Sequence, residues 1–301
     1  MAGEGAARLT LGPLFFNWAA EAWRDFYFAI ADEAPVDSVC VGEVICAKRR
    51  PFLAPHFGAV IDRLTRAGKE VVLSAPALIT DAREMAELRD LTASDGLLVE
   101  ANDLSAVSLL AGRRHAIGPF VNIYNEATLA YLTGRGAARI CLPVELPATS
   151  LAILAANAGG EVELEVQVFG RLPLAVSARC YHARSRGLAK DNCRFACAED
   201  PDGMAVETLD GEPFLAVNGT QTLSHAYGNL WDQLPALAEM GIGRFRLSPQ
   251  DIDMVAVARL FRDRLDGRVA ATAGDQLAGL ANGAPFANGF YHGVEGVTLV
   301  R

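Results

Sequence analysis

Residues 36–77, VDSVCVGEVICAKRRPFLAPHFGAVIDRLTRAGKEVVLSAPA, decide the fold. An apolar, β-branched run at 36–44 reads as a buried strand, and a second run at 69–77 reads as another. Between them, residues 54–68 (APHFGAVIDRLTRAG) carry apolar side chains at helical spacing and stop on Gly68. A strand, a helix and a second strand in so short a span form the unit from which parallel sheets are built.

The same unit recurs on both sides. Strands are expected at 9–16, 96–101, 117–124, 138–146 and 162–170, and helices at 19–34, 81–91 and 103–112, with helical patterns after the fifth and sixth strands. From 171 to about 226 the rhythm breaks: the stretch bears cysteines and a hairpin signal, LDGEP at 209–213. Periodicity then returns with a helix at 229–241, an eighth strand at 243–250 and a last helix at 253–265. Eight strands and one insertion after the seventh fit an α/β fold of the TIM-like (β/α)8 barrel type. The expectation is a single barrel domain over 1–301, with 171–226 as the insertion and 268–301 as a C-terminal tail rich in Ala, Gly and Asn. An open doubly wound sheet is the alternative, since strand order alone does not close a barrel.

The chain has 301 residues, 51% of them hydrophobic, with a formal net charge of −9. That balance counts against general nucleic-acid binding, which needs a basic surface. No apolar run reaches membrane-spanning length, and MAGEGAARLT at 1–10 lacks the apolar core of a signal peptide. The expected location is therefore the reducing cytoplasm, where six cysteines point to metal or redox chemistry and not to disulfides.

Cys46 lies just past the second strand, and Cys180, Cys193 and Cys197 lie beyond the seventh. In a closed barrel both loops sit on the C-terminal rim, where active sites form, so four thiolates can meet. Soft thiolate ligands suit an iron–sulfur cluster or zinc, and the spacing leaves both open. Cys40 and Cys141 fall inside strands and read as small core hydrophobes. Glu43 and Glu145, at strand ends, are candidate acids, bases or hydrogen-bond acceptors, against the plainer reading of carboxylates paired with arginine. Lys48, Arg49 and Arg50 would grip an anionic substrate, or form a solvated turn before Pro51. His182 stands among the candidate ligands but reads as a surface residue. The chain has no nucleophile elbow, zincin motif, P-loop or dinucleotide-binding glycine fingerprint.

GEVICAKRRP (42–51), LPVEL (142–146), RLPLAVSARC (171–180), DNCRFAC (191–197), NGTQTLS (218–224) and RLSPQ (246–250) together resemble the UbiV branch of the collagenase-like peptidase superfamily. The resemblance implies a [4Fe–4S] cluster held by four cysteines, a pattern that falls on Cys46, Cys180, Cys193 and Cys197. It further implies an O2-independent hydroxylase component of ubiquinone biosynthesis, acting on a polyprenylated phenol ring. The implied partners are a homologous UbiU-like subunit, in a heterodimer, and a UbiT-like lipid-binding accessory protein, with prephenate as an oxygen-donor candidate. Peptidase activity is not expected. The alternatives are RNA base hydroxylation, as in related branches, and a zinc-stabilised scaffold without catalysis.

Overall fold

The computed structural model describes residues 7–160 and 162–301. The first six residues, part of the stretch read as carrying no signal peptide, lie outside the described residues. Eight parallel strands close on themselves: β1 (Arg8–Leu11), β2 (Ser38–Val41), β3 (Glu70–Ser74), β4 (Leu98–Ala101), β5 (His115–Ile117), β6 (Ala137–Cys141), β7 (Glu163–Val176) and, last, β11 (Arg244–Leu247). β11 pairs with β7 on one side and with β1 on the other, in register Arg8↔Arg244 to Leu11↔Leu247. This is a closed (β/α)8 barrel and not an open sheet. Among the described residues, no helix is long and apolar enough to cross a membrane.

Most strands end earlier than their apolar runs. The fifth run spans 117–124, yet β5 stops at Ile117 and the rest is rim loop. Pro119 explains this, since it has no N–H to give to a central ladder. Pro13, Pro76, Pro143 and Pro249 likewise follow within two residues of the ends of β1, β3, β6 and β11. The apolar residues past these prolines line the rim loops. The seventh strand departs the other way. Its run ends at Gly170, but β7 continues to Val176, leaving the barrel wall at Gly170 (φ +102°). Beyond that glycine it pairs antiparallel with β10 (Gln221–Asn229), which pairs with β9 (Pro213–Asn218), which pairs with β8 (Met204–Glu207). The β8–β9 hairpin spans the expected turn.

Helices α1 (Ala20–Glu33), α2 (Arg50–Arg66), α3 (Ala82–Thr92), α4 (Leu104–Leu109), α5 (Glu126–Gly134) and α6 (Ala148–Asn157) follow the first six strands. The five-residue α7 (Tyr181–Ser185) lies in the insertion, α8 (Leu234–Glu239) precedes β11 and α9 (Met254–Leu265) follows it. Asp81, Asp103, Asn125 and Asp253 cap their helices by accepting first-turn N–H groups. The tail is largely irregular. It holds α10 (Asp275–Leu280) and β12 (Phe286–Ala287), which pairs with β10.

The apolar core lies between strands and helices: Leu9, Val39, Val71, Ile140, Leu164, Phe245 and Leu247 are all buried there. The inside of the barrel is polar. Arg246 of β11 is paired with Glu100 of β4 and Glu165 of β7. Nearer the N-terminal ends, Arg244 meets Glu163 at 3.0 Å and Arg139 meets Glu70 at 2.8 Å. Cys40 stands in the same interior, its Sγ 3.8 Å from Glu100 and 3.7 Å from Arg246. Burial, with the Glu100 charge, lifts the Cys40 thiol far above its ordinary range. Burial alone would raise the Glu165 carboxyl too, but the Arg246 and Arg139 charges outweigh it and hold that carboxyl low.

Arg246→Met removes the cation that two buried carboxylates share, so it is expected to cost about 3–5 kcal/mol in urea unfolding. Since the folded Glu165 carboxyl is depressed, its stabilisation is present above the unfolded value of about 4.3 and is lost as pH falls through the folded one. Stability measured against pH should therefore drop less on acidification in Glu165→Gln than in the parent chain.

Candidate metal centre

The loop after β2 is built around Glu43. This carboxylate is 4% exposed and accepts the backbone N–H groups of Ile45 (3.0 Å) and Cys46 (2.8 Å), with Arg49 Nη1 at 3.7 Å. Burial raises its pKa, and the Arg49 charge and the two N–H donors oppose the rise. The loop turns through Ala47–Arg49 into α2, with Pro51 in its first turn, where a missing N–H costs nothing. Cys46 is thereby fixed on the rim. Burial lifts its thiol, against the Arg49 charge.

The insertion supplies the other three thiols. Cys180 caps α7, its sulfur accepting the Ala183 N–H at 3.4 Å and lying 3.2 Å from the Gly219 carbonyl oxygen. Between Cys193 and Cys197 the chain passes through Arg194 (φ +51°) and Phe195 (φ +54°). Two successive left-handed non-glycine residues cost roughly 1–2 kcal/mol each, and such strain gathers at functional sites. It is stabilised by the Phe195 ring standing edge-on to Phe52 of α2, 4.9 Å between centroids. Cys197 is 8% exposed, and its sulfur accepts hydrogen bonds from Asn17 Nδ2 (3.2 Å) and Arg49 Nη2 (3.5 Å).

All four sulfur-bearing residues, Cys46, Cys180, Cys193 and Cys197, line one cavity, together with Lys48, Arg49, Lys190, Phe195 and Gly219. The space not filled by protein atoms there is about 350 Å³, part of it open to solvent. Among the described residues, no three histidine, cysteine or carboxylate side chains converge as tightly as one metal ion requires. Cys40 and Cys141 stay inside the barrel, apart from this cavity.

Arg49 is the centre of the arrangement. It is 2% exposed and donates to the Phe15 carbonyl (3.0 Å), the Asn218 side-chain oxygen (2.7 Å) and Cys197. Asn218, fully buried, in turn donates to the carbonyls of Cys197 (2.9 Å) and Asp200 (2.8 Å). Thr220 and Gln221, past the same turn, donate to the rim carbonyls of Ile45 and Phe15. The β9–β10 turn thus seats the insertion on the barrel.

The basic triplet does not act as one patch. Lys48 reaches the Lys190 carbonyl (2.8 Å) and Asp191 (3.2 Å), Arg49 is buried, and Arg50 pairs with Glu87 of α3 at 2.6 Å. Glu145 is exposed across the barrel mouth and accepts from the Tyr124 hydroxyl, whose pKa burial and that carboxylate push up to about 12. It has no place at the cysteines. For His182 the structure corrects the expectation of a surface residue. It is fully buried, with Nε2 3.0 Å from Asp200 and Nδ1 3.2 Å from the Val217 carbonyl, so it ties α7 to β9. Its partners are brought by the fold and not by adjacent sequence. Asn17, Asn218 and Gly219 are site residues that the sequence reading misses. The Asn-Gly dipeptide at 218–219 is a turn signal, whereas Asn17 carries none.

The closed barrel with a four-thiol cavity on its rim defines the class of molecule: a cysteine-bearing α/β barrel. The chain belongs to peptidase family U32, whose model matches residues 21–300. Among solved structures, the U32 peptidase Mk0906 is 14% identical, with 83% of this chain and 96% of that one covered and a TM-score of 0.45. Dihydropteroate synthase from Thermus thermophilus is 13% identical over 85% of this chain and 92% of its own, with a TM-score of 0.41. Neither likeness bears on the chemistry of the rim.

Gly219 has φ +73°, and a Cβ there would stand 2.4 Å from Arg49 Nη2. Gly219→Ala is expected to cost about 2–4 kcal/mol in urea unfolding, from backbone strain plus displacement of Arg49. Gly211→Ala, equally left-handed at φ +86° but with open space around it, should cost only the strain, about 1–2 kcal/mol.

Proposed function

We propose that this chain is an iron–sulfur protein in which Cys46, Cys180, Cys193 and Cys197 bind one [4Fe–4S] cluster. The observation that carries the proposal is the single cavity that the four share. Zinc would draw its four thiolates in to about 2.3 Å from one centre. Four thiols lining one cavity can serve either group, and the resemblance of the cysteine motifs to a cluster-binding family favours the cluster. The surroundings fit as well. N–H donors from Asn17 and Arg49 meet the Cys197 sulfur, and hydrogen bonds of this kind tune clusters and orient their ligands. The buried Arg49 cation offsets thiolate charge, and Glu43 fixes the backbone on which Cys46 rides.

The role extends to the cluster-bearing subunit of an oxygen-independent hydroxylase acting on the ring of polyprenylated ubiquinone precursors, in a heterodimer with a UbiU-like partner and served by a UbiT-like lipid-binding protein. The resemblance of the cysteine and rim motifs to the UbiV branch supports this part of the reading. The cluster's chemistry is one-electron transfer, because four thiolates leave its irons no open position.

Purified without air, the chain should be brown and carry about four irons and four acid-labile sulfides. Cys193→Ala should lose most of that iron, while Cys141→Ala, altered inside the barrel, should retain it. A colourless chain with one zinc would overturn the cluster and leave a scaffold role.

A further inference from the structure

Charge is distributed unevenly. The chain carries −9 overall, yet residues 177–197 hold Arg179, Arg184, Arg186, Lys190 and Arg194 against the single Asp191. Each of these cations is placed by the site. Arg179 precedes Cys180, Arg184 lies one helical turn beyond it with its N–H on the Cys180 carbonyl (3.2 Å), and Arg194 follows Cys193. Lys48 and Lys190 line the cysteine cavity itself. Arg186 is paired with Glu199 and Asp200, whereas Arg179, Arg184 and Arg194 are exposed and make no ion pair among the described residues. Cys46 and Cys193 are the two half-exposed thiols, so the cavity reaches the surface amid this basic rim. Tyr181, 47% exposed, and Phe52, 54% exposed, flank it.

We propose that this rim, Arg179, Arg184 and Arg194 with Lys48 and Lys190, docks a small acidic electron-carrier protein that reduces the site. The inference rests on the cluster reading above. One electron leaves the carrier, which is oxidised, and enters the cluster, which is reduced; no bond or proton moves. Charge complementarity selects the partner. A basic patch on an acidic body steers an acidic protein to one face and repels it elsewhere. Electron-transfer encounters use small interfaces of this kind. A nucleic acid would extend past the patch onto acidic surface, where phosphates are repelled.

The test uses the cluster-loaded full chain, reduced flavodoxin as the acidic carrier, and stopped-flow absorbance. Charge reversal in the double variant Arg179→Glu, Arg184→Glu should slow reduction by flavodoxin about tenfold or more. Raising salt from about 0.05 to 0.5 M should slow the parent chain similarly. Reduction by photoreduced 5-deazariboflavin, a small uncharged donor, should be the same in both chains. Equal flavodoxin rates in variant and parent would overturn the proposal. So would a labelled RNA that binds the parent at about 0.15 M salt and not the variant, which would make the rim an RNA surface. Should the chain purify without iron, the cluster reading fails by itself. Docking is then read as salt-dependent flavodoxin binding to the iron-free chain, and absence of that binding sinks it separately.

Discussion

A guanidinium taken out of water must have its charge and its N–H groups matched, or it costs several kcal/mol. The rim is organised around how Arg49 meets most of that demand through Nη1 and Nη2, its buried Nε alone having no partner among the described residues. Its partners come from segments far apart in the chain: the Phe15 carbonyl after β1, Glu43 after β2, Asn218 at the end of β9 and the Cys197 sulfur. One side chain therefore joins two barrel loops to the insertion. Because Glu43 also holds the Cys46 N–H, Cys46 and Cys197 are set through the same charge. The arginine stands at once as a strut and as a buried positive charge beside the thiols.

The barrel interior follows the same logic on a larger scale. Barrels of this type are usually filled with branched apolar side chains. Here Arg246 spans Glu100 and Glu165, while Arg244, Arg139, Glu70 and Glu163 form a second layer toward the N-terminal ends. Such a layer specifies register sharply. Sliding β11 by one residue would turn Arg244 and Arg246 out among apolar helix faces and drive Phe245 and Leu247 into the ionic interior.

What is legible in the sequence follows from these forces. Strand–helix alternation shows where each unit lies, since apolar periodicity is a local property. Strand ends are misjudged because the apolar residues past each proline face the rim and not the ladder. The polar interior is visible in ELEVQ and RFRLS, where charged and apolar residues alternate with period two, but reading it requires knowing that the sheet closes. That Cys46 and the three later cysteines share a rim follows from their places after strands. The supports of that rim do not. Asn17 and Asn218 act through contacts across some two hundred residues of chain, and His182 sits in a pocket that none of its sequence neighbours announces.

Closure through β11 has a further consequence, for synthesis. The ladder Arg8↔Arg244 joins the first strand of the barrel to its last. A nascent chain that has emerged as far as α8 therefore displays two unsatisfied edges, on β1 and on β7, with Glu100 and Glu165 lacking their shared arginine. Pairings between such distant segments form slowly, and open edges invite association with other chains. The barrel thus keeps both edges open until β11 is made, and slow delivery of that strand favours association with other chains over closure.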